Sequence, residues 1–208
     1  MIRAFFFIIT KISALSVPYY YNPNIHNFGN IGIGGKIHAE LGPLFTKFID
    51  NIRYNGTDIR KEILEPYKNK NIIDLCCGTG ISTLDGNVGI DTSKEMLSVA
   101  KKYKNKSRFL FGNAEVFGKK NEFDIVTCMF SFHEMPNYAH KNIIENSKRI
   151  AKEEILIVDI SPNYIPSKIM LSGEPYILNY LDTIDDILID FEKTDYIKDR
   201  VCIWKYKL

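Results

Sequence analysis

The sequence predicts an α/β protein, an open and mostly parallel sheet closed by a C-terminal antiparallel hairpin, and three observations predict it. From Asn71 onward, short β-rich runs (NIIDL, NVGID, SRFLF, FDIVTCMF and EEILIVDI) are separated by connections, some of them helical in pattern. Strand and helix in alternation imply parallel pairing through right-handed crossovers. The tail, DFEKTDYIKDRVCIWKYKL, differs: its two runs are joined by a turn-like Lys198-Asp199, which predicts a hairpin.

The chain opens with MIRAFFFIITKISALSVP, where Arg3, the apolar run Ala4 to Thr10 and then Ala14-Leu15-Ser16 share features with a secretory leader, although Lys11 interrupts the run. Residues 1–16 therefore have three readings: a leader removed on targeting, an element docked on the domain, or an unstructured tail. The first implies an organellar or secretory location and the others a cytoplasmic one. The run falls short of the roughly 18 apolar residues of a membrane span.

Residues 17–70 are read as an N-terminal lid with helices. VPYYYNPNIHNFGNIGIGG, residues 17–35, is dense in Tyr, Asn, Pro and Gly and suits an ordered loop or lid. Ile37, Leu41, Leu44, Phe45, Phe48, Ile49 and Ile52 then recur at helical spacing, with Gly42-Pro43 expected to kink or divide the helix. DIRKEILEPY predicts a short helix starting near Asp58 and stopping about Pro66.

Residues 71–208 form the expected core. Between its second and third strands, Thr92-Ser93-Lys94-Glu95 is a capping box, and Met96, Leu97, Ala100 and Tyr103 give the following helix its apolar stripe. A further helix is predicted near Tyr138 to Ala151, before the fifth strand.

Composition narrows the function. The 208 residues suffice for one well-filled core. A net charge of +2, with acidic and basic residues spread along the chain, provides no electrostatic footprint for gripping nucleic acid. Cys76, Cys77, Cys128 and Cys202 form no CxxC pair and no zinc-ligand spacing, so neither a metal site nor a disulfide framework is expected.

The chemistry gathers at strand ends. In IIDLCCGTG the first strand runs into a turn whose Gly78 and Gly80 allow close backbone approach to a ligand. Asp91 ends the second strand 17 residues after Asp74, where a carboxylate can accept both hydroxyls of a ribose. GNAE, residues 112–115, follows the third strand, where Asn113 and the Ala114 N–H could address an adenine edge. FSFHEMP, residues 130–136, follows the fourth. Thr83 stands where a dinucleotide fingerprint has its third glycine, no GxxxxGK is present, and a carboxylate at Asp74 would repel a pyrophosphate. The expected ligand is a nucleoside with positive charge near the loop.

DLCCGTG, VGIDTSKEML, GNAE and FDIVTCMFSFHEMP together resemble the successive motifs of class I S-adenosylmethionine-dependent methyltransferases, of the type-11 group that includes quinone-biosynthesis C-methyltransferases. The resemblance covers about Asn71 to Ile160 and implies a Rossmann-like, seven-stranded sheet. It implies S-adenosyl-L-methionine as cofactor, with Asp74, Cys76, Gly78 and Gly80 around its methionine part, Asp91 on the ribose, Asn113 and Ala114 on the adenine, and Thr92, Met96, Glu115 and Phe130 completing the set. Two departures stand out. Asn113 replaces a frequent Asp, and the connection from Cys76 to Asn87 has only 12 residues, so the family's helix there must shrink to a turn or so.

The reaction expected is in-line methyl transfer to a small, partly apolar metabolite. His133 is the candidate base, with hydrogen bonding to the loop as its other reading; Asp159 is an outside alternative, and Glu134 reads as a solvated or helix-terminal carboxylate. Tyr20, Tyr21, His26 and Tyr176 are candidate substrate contacts. Two competing functions remain, a cofactor-binding protein without catalysis and an NAD-dependent oxidoreductase.

Overall fold

A computed structural model describes residues 17–208 of the chain. The leader question falls on residues 1–16 and lies outside the described residues.

Seven strands form one sheet in the order β3-β2-β1-β4-β5-β7-β6. They are β1 (Ile72–Leu75), β2 (Val88–Asp91), β3 (Arg108–Phe111), β4 (Phe123–Met129), β5 (Ala151–Ile160), β6 (Glu192–Ile197) and β7 (Val201–Lys207). The first five pair in parallel, and β7 is antiparallel to both β5 and β6, so the expected terminal hairpin is present. All four residues of β1 are buried, because a central parallel strand is covered on both faces.

Alternation along β5 divides the core. Ile155 and Ile157 face one layer with α4 (Asn137–Ile150) and α6 (Ile177–Ile187), where Ile143, Tyr180 and Ile184 fill the space. Leu156 and Val158 face the opposite layer with Ile59, Ile63 and Leu64 of α2 (Ile59–Leu64). The α3 helix (Lys94–Tyr103) packs Leu97 and Ala100 on Phe109 and Cys77; the capping box expected over Thr92–Glu95 is replaced by a cap one residue later, with Ser93 Oγ accepting the Met96 N–H and Glu95 accepting the Gly32 N–H. Asp58 caps α2 in the same way through Lys61 N–H.

The α1 helix departs from expectation. It runs unbroken over Gly32–Arg53 with Pro43 inside it, so Gly42-Pro43 does not divide it. Its apolar residues also face outward: Leu44, Phe45, Phe48 and Ile52 are all more than half exposed. The buried face is instead small and polar, with Gly35, Ala39 and Asp50, because Ala39 packs closely on Met96 and Val99 of α3.

The connection from β1 to β2 holds no helix at all, and side-chain bonds replace one. Buried Asp74 accepts the hydroxyls of Ser82 and Thr83 at 2.9 and 2.7 Å, and of Thr127 on β4 at 3.1 Å. Lys104 at the end of α3 donates to the Thr83 carbonyl at 3.2 Å, and Asn87 Oδ1 accepts the Ile72 N–H at 2.7 Å. Among the described residues, no helix is long and apolar enough to cross a membrane.

Candidate functional site

Parallel register aligns the strand ends. Leu75 pairs with Ile90 on one side and Cys128 on the other, so the turns at Cys76, Asp91 and Phe130 open at one level. They form the floor of a cavity of about 210 Å³. That is below the roughly 300–1,000 Å³ usual for small-molecule sites, a narrow space with the cover resting over it.

Two floor residues are held in left-handed backbone, Cys76 at φ 56° and Phe130 at φ 55°. Non-glycine residues rarely adopt this conformation, and such strain concentrates where a ligand is gripped. Gly78 is also left-handed, at φ 52°, and a Cβ built on it would meet nothing within 4 Å. That bare stretch of backbone faces the cavity and suits a ligand that lies directly on the peptide. Gly80 has a different role: a Cβ there would stand 2.7 Å from the Phe109 ring. It is a packing glycine and lies off the cavity wall.

Asp91 ties floor to wall. Its Oδ2 accepts the Gly78 N–H at 2.8 Å and its Oδ1 accepts the Ser93 N–H at 2.7 Å, while burial raises its pKa to about 6. Each oxygen keeps a second lone pair for a ligand hydroxyl. Thr92 and Met96 line the wall beside it.

The loop after β3 supplies the next wall through Asn113 and Ala114. It is pinned from behind, since Asn146 of α4 donates to the Ala114 and Phe117 carbonyls at 2.8 and 3.0 Å. The Asn113 Oδ1, expected to face an adenine amino group, accepts the Glu115 N–H at 2.9 Å and so also shapes its own loop. Glu115 lies off the cavity and accepts the Tyr19 hydroxyl at 3.0 Å.

Other expected contacts need correcting. Asp74 does not reach the cavity, because all its bonds go to the hydroxyls that fasten the short connection. His133 is buried off the wall with Nδ1 2.6 Å from Asp159 Oδ1; burial opposes its charge, but Asp159 outweighs that and lifts the pKa to about 9. An imidazole that keeps its proton at neutral pH is no base. Asp159 is equally enclosed, its oxygens accepting the Phe132, His133 and Ile160 N–H groups.

The cover closes the cavity from above. Tyr20 and His26 line it, whereas Tyr21 donates its hydroxyl to the Thr92 carbonyl and Tyr176 accepts from Asn22, so these two fasten the cover. His26 Nε2 lies 2.8 Å from Glu134 and its Nδ1 2.7 Å from Glu174. Burial works against its charge, yet the two carboxylates hold its pKa well above the ordinary value and the ring is an imidazolium. Glu134 is a paired cavity carboxylate, not a solvated one; burial favours its neutral form, but His26 and His133 hold its pKa down at about 2.

Sequence reasoning missed the cavity face of α1, which carries His38, Gly42 and Thr46, and also Arg60 of α2. A signal existed: the three α1 positions are spaced by four, one face of a helix whose other residues are largely apolar.

Residues 72–154 match the family model described as "Methyltransferase domain". Two curated relatives overlap this segment in part. A demethylmenaquinone methyltransferase of Oceanobacillus iheyensis is 36% identical over 95 residues, covering 38% of this chain and 39% of that protein. One of Lactococcus lactis subsp. lactis is 38% identical over 82 residues, covering 32% of each. The matched part of this chain thus spans less than two fifths of those proteins' length. Among solved structures, an S-adenosylmethionine-dependent methyltransferase of Clostridium acetobutylicum superposes with TM-score 0.53 at 15% identity, covering 80% of this chain and 98% of that one. A Pyrococcus horikoshii protein gives TM-score 0.51 at 17% identity, covering 72% and 89%. The central segment of this chain thus matches a methyltransferase domain, and its mixed seven-stranded sheet shares the Rossmann-like fold of these solved structures.

Proposed function

We propose that the chain transfers a methyl group from S-adenosylmethionine to a small, partly apolar acceptor held between the strand-end turns and the cover. The observation that carries this is the convergence of Gly78, Asp91 and the 113–114 loop on one cavity that extends up to Tyr20, His26 and Arg60. The donor set fits the sulfonium nucleoside: bare backbone at Gly78 for the methionine part, Asp91 for the ribose, and Ala114 with Asn113 at the base. Asp91 places negative charge at the cofactor end of the cavity, which disfavours a pyrophosphate there.

The methyl donor supplies an electrophilic carbon on a positive sulfur. The chain's own contribution is to hold donor and acceptor in line, an effect that can lower a barrier by roughly 7–11 kcal/mol. The fastened cover keeps water from the transfer. The curated relatives are named for demethylmenaquinone, so a short-chain naphthohydroquinone is the first acceptor to try.

Calorimetry with S-adenosylmethionine and with NAD tests the cofactor, and release of S-adenosylhomocysteine tests turnover. Micromolar binding of the sulfonium ligand is expected. Tight NAD binding without it would overturn the reading.

A further inference from the structure

We propose that His38 is the catalytic base, taking the proton of a hydroxyl-bearing acceptor such as a phenol or hydroquinol; this rests on the methyl-transfer reading above. The chain has four histidines, and three are otherwise engaged. His26 is clamped between two carboxylates and His133 is bonded to Asp159. His140 is fully buried, stacked on Phe132, and its Nε2 donates to the Phe132 carbonyl at 2.7 Å. His38 alone lines the cavity with a ring nitrogen that has no partner among the described residues.

Its tautomer follows from its one bond. His38 Nδ1 lies 3.3 Å from the Gly29 carbonyl oxygen, which can only accept, so Nδ1 carries the hydrogen and Nε2 keeps its lone pair. The charged groups around it are His26, whose ring centre is 4.4 Å away, Glu134 after β4, and Arg60 and Asp91 on the remaining walls. Burial and the His26 cation hold the His38 pKa below its ordinary value, against the opposing pull of Glu134 and Gly29, so the ring is neutral at pH 7. Neither cavity carboxylate competes: Glu134 is held too acidic by His26, and Asp91, tied to the Gly78 and Ser93 N–H groups, is assigned to the ribose by the reading above.

In the step, the acceptor O–H bond breaks and an Nε2–H bond forms, leaving the electron pair on the acceptor. That pair, on oxygen or delocalised to a ring carbon, forms the new bond to the methyl carbon; after attack through carbon, the ring C–H proton leaves to water, its electron pair restores the aromatic ring, and the oxygen is reprotonated. The carbon–sulfur pair stays on sulfur, which becomes a neutral thioether, and the proton later leaves His38 for water. Arg60 faces the anion so formed: it lies over the Phe130 ring at 4.3 Å, and among the described residues its one hydrogen bond is an N–H to Asp50 at 3.1 Å.

The test pairs a spectroscopic readout with kinetics on the full chain. Nitrogen-15 NMR of the complex with S-adenosylhomocysteine should show His38 neutral at pH 7 with hydrogen on Nδ1, titrating below 6.5. An imidazolium at pH 7, or hydrogen on Nε2, overturns the proposal. His38→Asn keeps a donor for the Gly29 carbonyl but has no basic nitrogen. With short-chain naphthohydroquinone and a panel of simple phenols as probes, it should lower kcat by about 100-fold or more. With S-adenosylmethionine saturating at every pH, it should also abolish the acid limb of the kcat profile, with KM and S-adenosylhomocysteine affinity at pH 7 within about twofold of the parent, as expected when only a proton-transfer group is lost. Retention of kcat within about threefold, below any general-base effect, overturns the proposal, as does a parent protein that binds S-adenosylhomocysteine yet methylates none of these hydroxyl probes. Failure to bind S-adenosylhomocysteine at all would sink the methyl-transfer reading first.

Discussion

The floor and the cover of the cavity are built by different means. The floor, at the ends of β1, β2 and β4, takes its shape from backbone register, with Leu75 paired to Ile90 and Cys128, and from buried bonds such as Gly78 N–H to Asp91. The cover, residues 17–53, is held by side chains reaching across: Tyr19 to Glu115, Tyr21 to Thr92, Glu95 to Gly32, and His26 to Glu134 and Glu174. A floor set by the main chain suits a ligand common to a family. A cover set by a few polar ties can change its acceptor, or open, while the floor stays intact. Substitutions should therefore separate the two.

The largest effect is expected where the floor is most tightly packed. Gly80→Val would place a Cβ 2.7 Å from the Phe109 ring and 3.2 Å from Ala100, on a residue at φ 76°. Overpacking and left-handed strain add to about 2–5 kcal/mol of lost stability. Urea denaturation measures it; a loss under about 1 kcal/mol, below either contribution alone, would mean that Phe109 swings aside and the floor is softer than its register implies.

Asp91→Ala comes next and strikes binding. Losing its bonds to the ribose and to the Gly78 amide should weaken S-adenosylmethionine by about 1–3 kcal/mol in calorimetry. With its carboxyl raised to about 6, Asp91 takes up a proton as pH falls through that value, so the parent's affinity should also drop below about pH 6. An affinity flat from pH 7 to 5 would remove Asp91 from the ribose.

These two positions also show what the sequence could disclose. The parallel strands, the terminal hairpin and the turns that meet at one cavity were legible because β-rich runs alternate with connections and Gly78 and Asp91 stand at strand ends. The role of Asp74 was not: spacing put a carboxylate by the loop, but only the fold shows it turned away to bind Ser82 and Thr83. The same bonds account for Thr83 in place of a glycine and for a connection that closes without a helix. The inward face of α1 was hidden because apolar periodicity marks the stripe with the largest residues, whereas the buried stripe here needed the smallest. The bond from His133 to Asp159 was hidden for a similar reason, since the two lie 26 residues apart in the chain.

His26→Gln tests the cover alone. It removes the cation between Glu134 and nearly buried Glu174, whose Oε2 has no partner among the described residues. Because the His26 side chain is 34% exposed, water screens part of the loss, and about 1–2 kcal/mol of cover closure should go. Proteolysis within residues 17–30 should speed up by about tenfold, as 1.4 kcal/mol implies, with global unfolding little changed. The parent should show a related pH effect. His26 is held above its ordinary 6.5, so the clamp is complete below that pH and dissolves as pH rises through the raised value. Glu134, held down at about 2, gives up its share only as pH falls from 4.5 through that value. The cover should stay closed across neutral pH and open on the alkaline side; equal cleavage at pH 7 and 10 would show that other ties suffice.

The smallest effect is expected on the outer face of α1. Phe48 is 62% exposed, so Phe48→Gln loses little buried area and replaces an aromatic with a slightly better helix former. Stability should change by less than about 0.5 kcal/mol, and cofactor affinity should not change. The measurement sharpens the contrast between floor and cover because α1 belongs to the cover through its other side, where His38 and Thr46 look into the cavity and Ala39 rests on α3. A helix held by one narrow face of small residues can tilt without disturbing the sheet, and a neutral Phe48→Gln would agree with that freedom. A loss above about 1 kcal/mol, the scale of a buried aromatic and not of a surface one, would mean that the outer stripe is covered in solution. The cover would then be held from both sides, and its closure would no longer depend on a handful of polar ties.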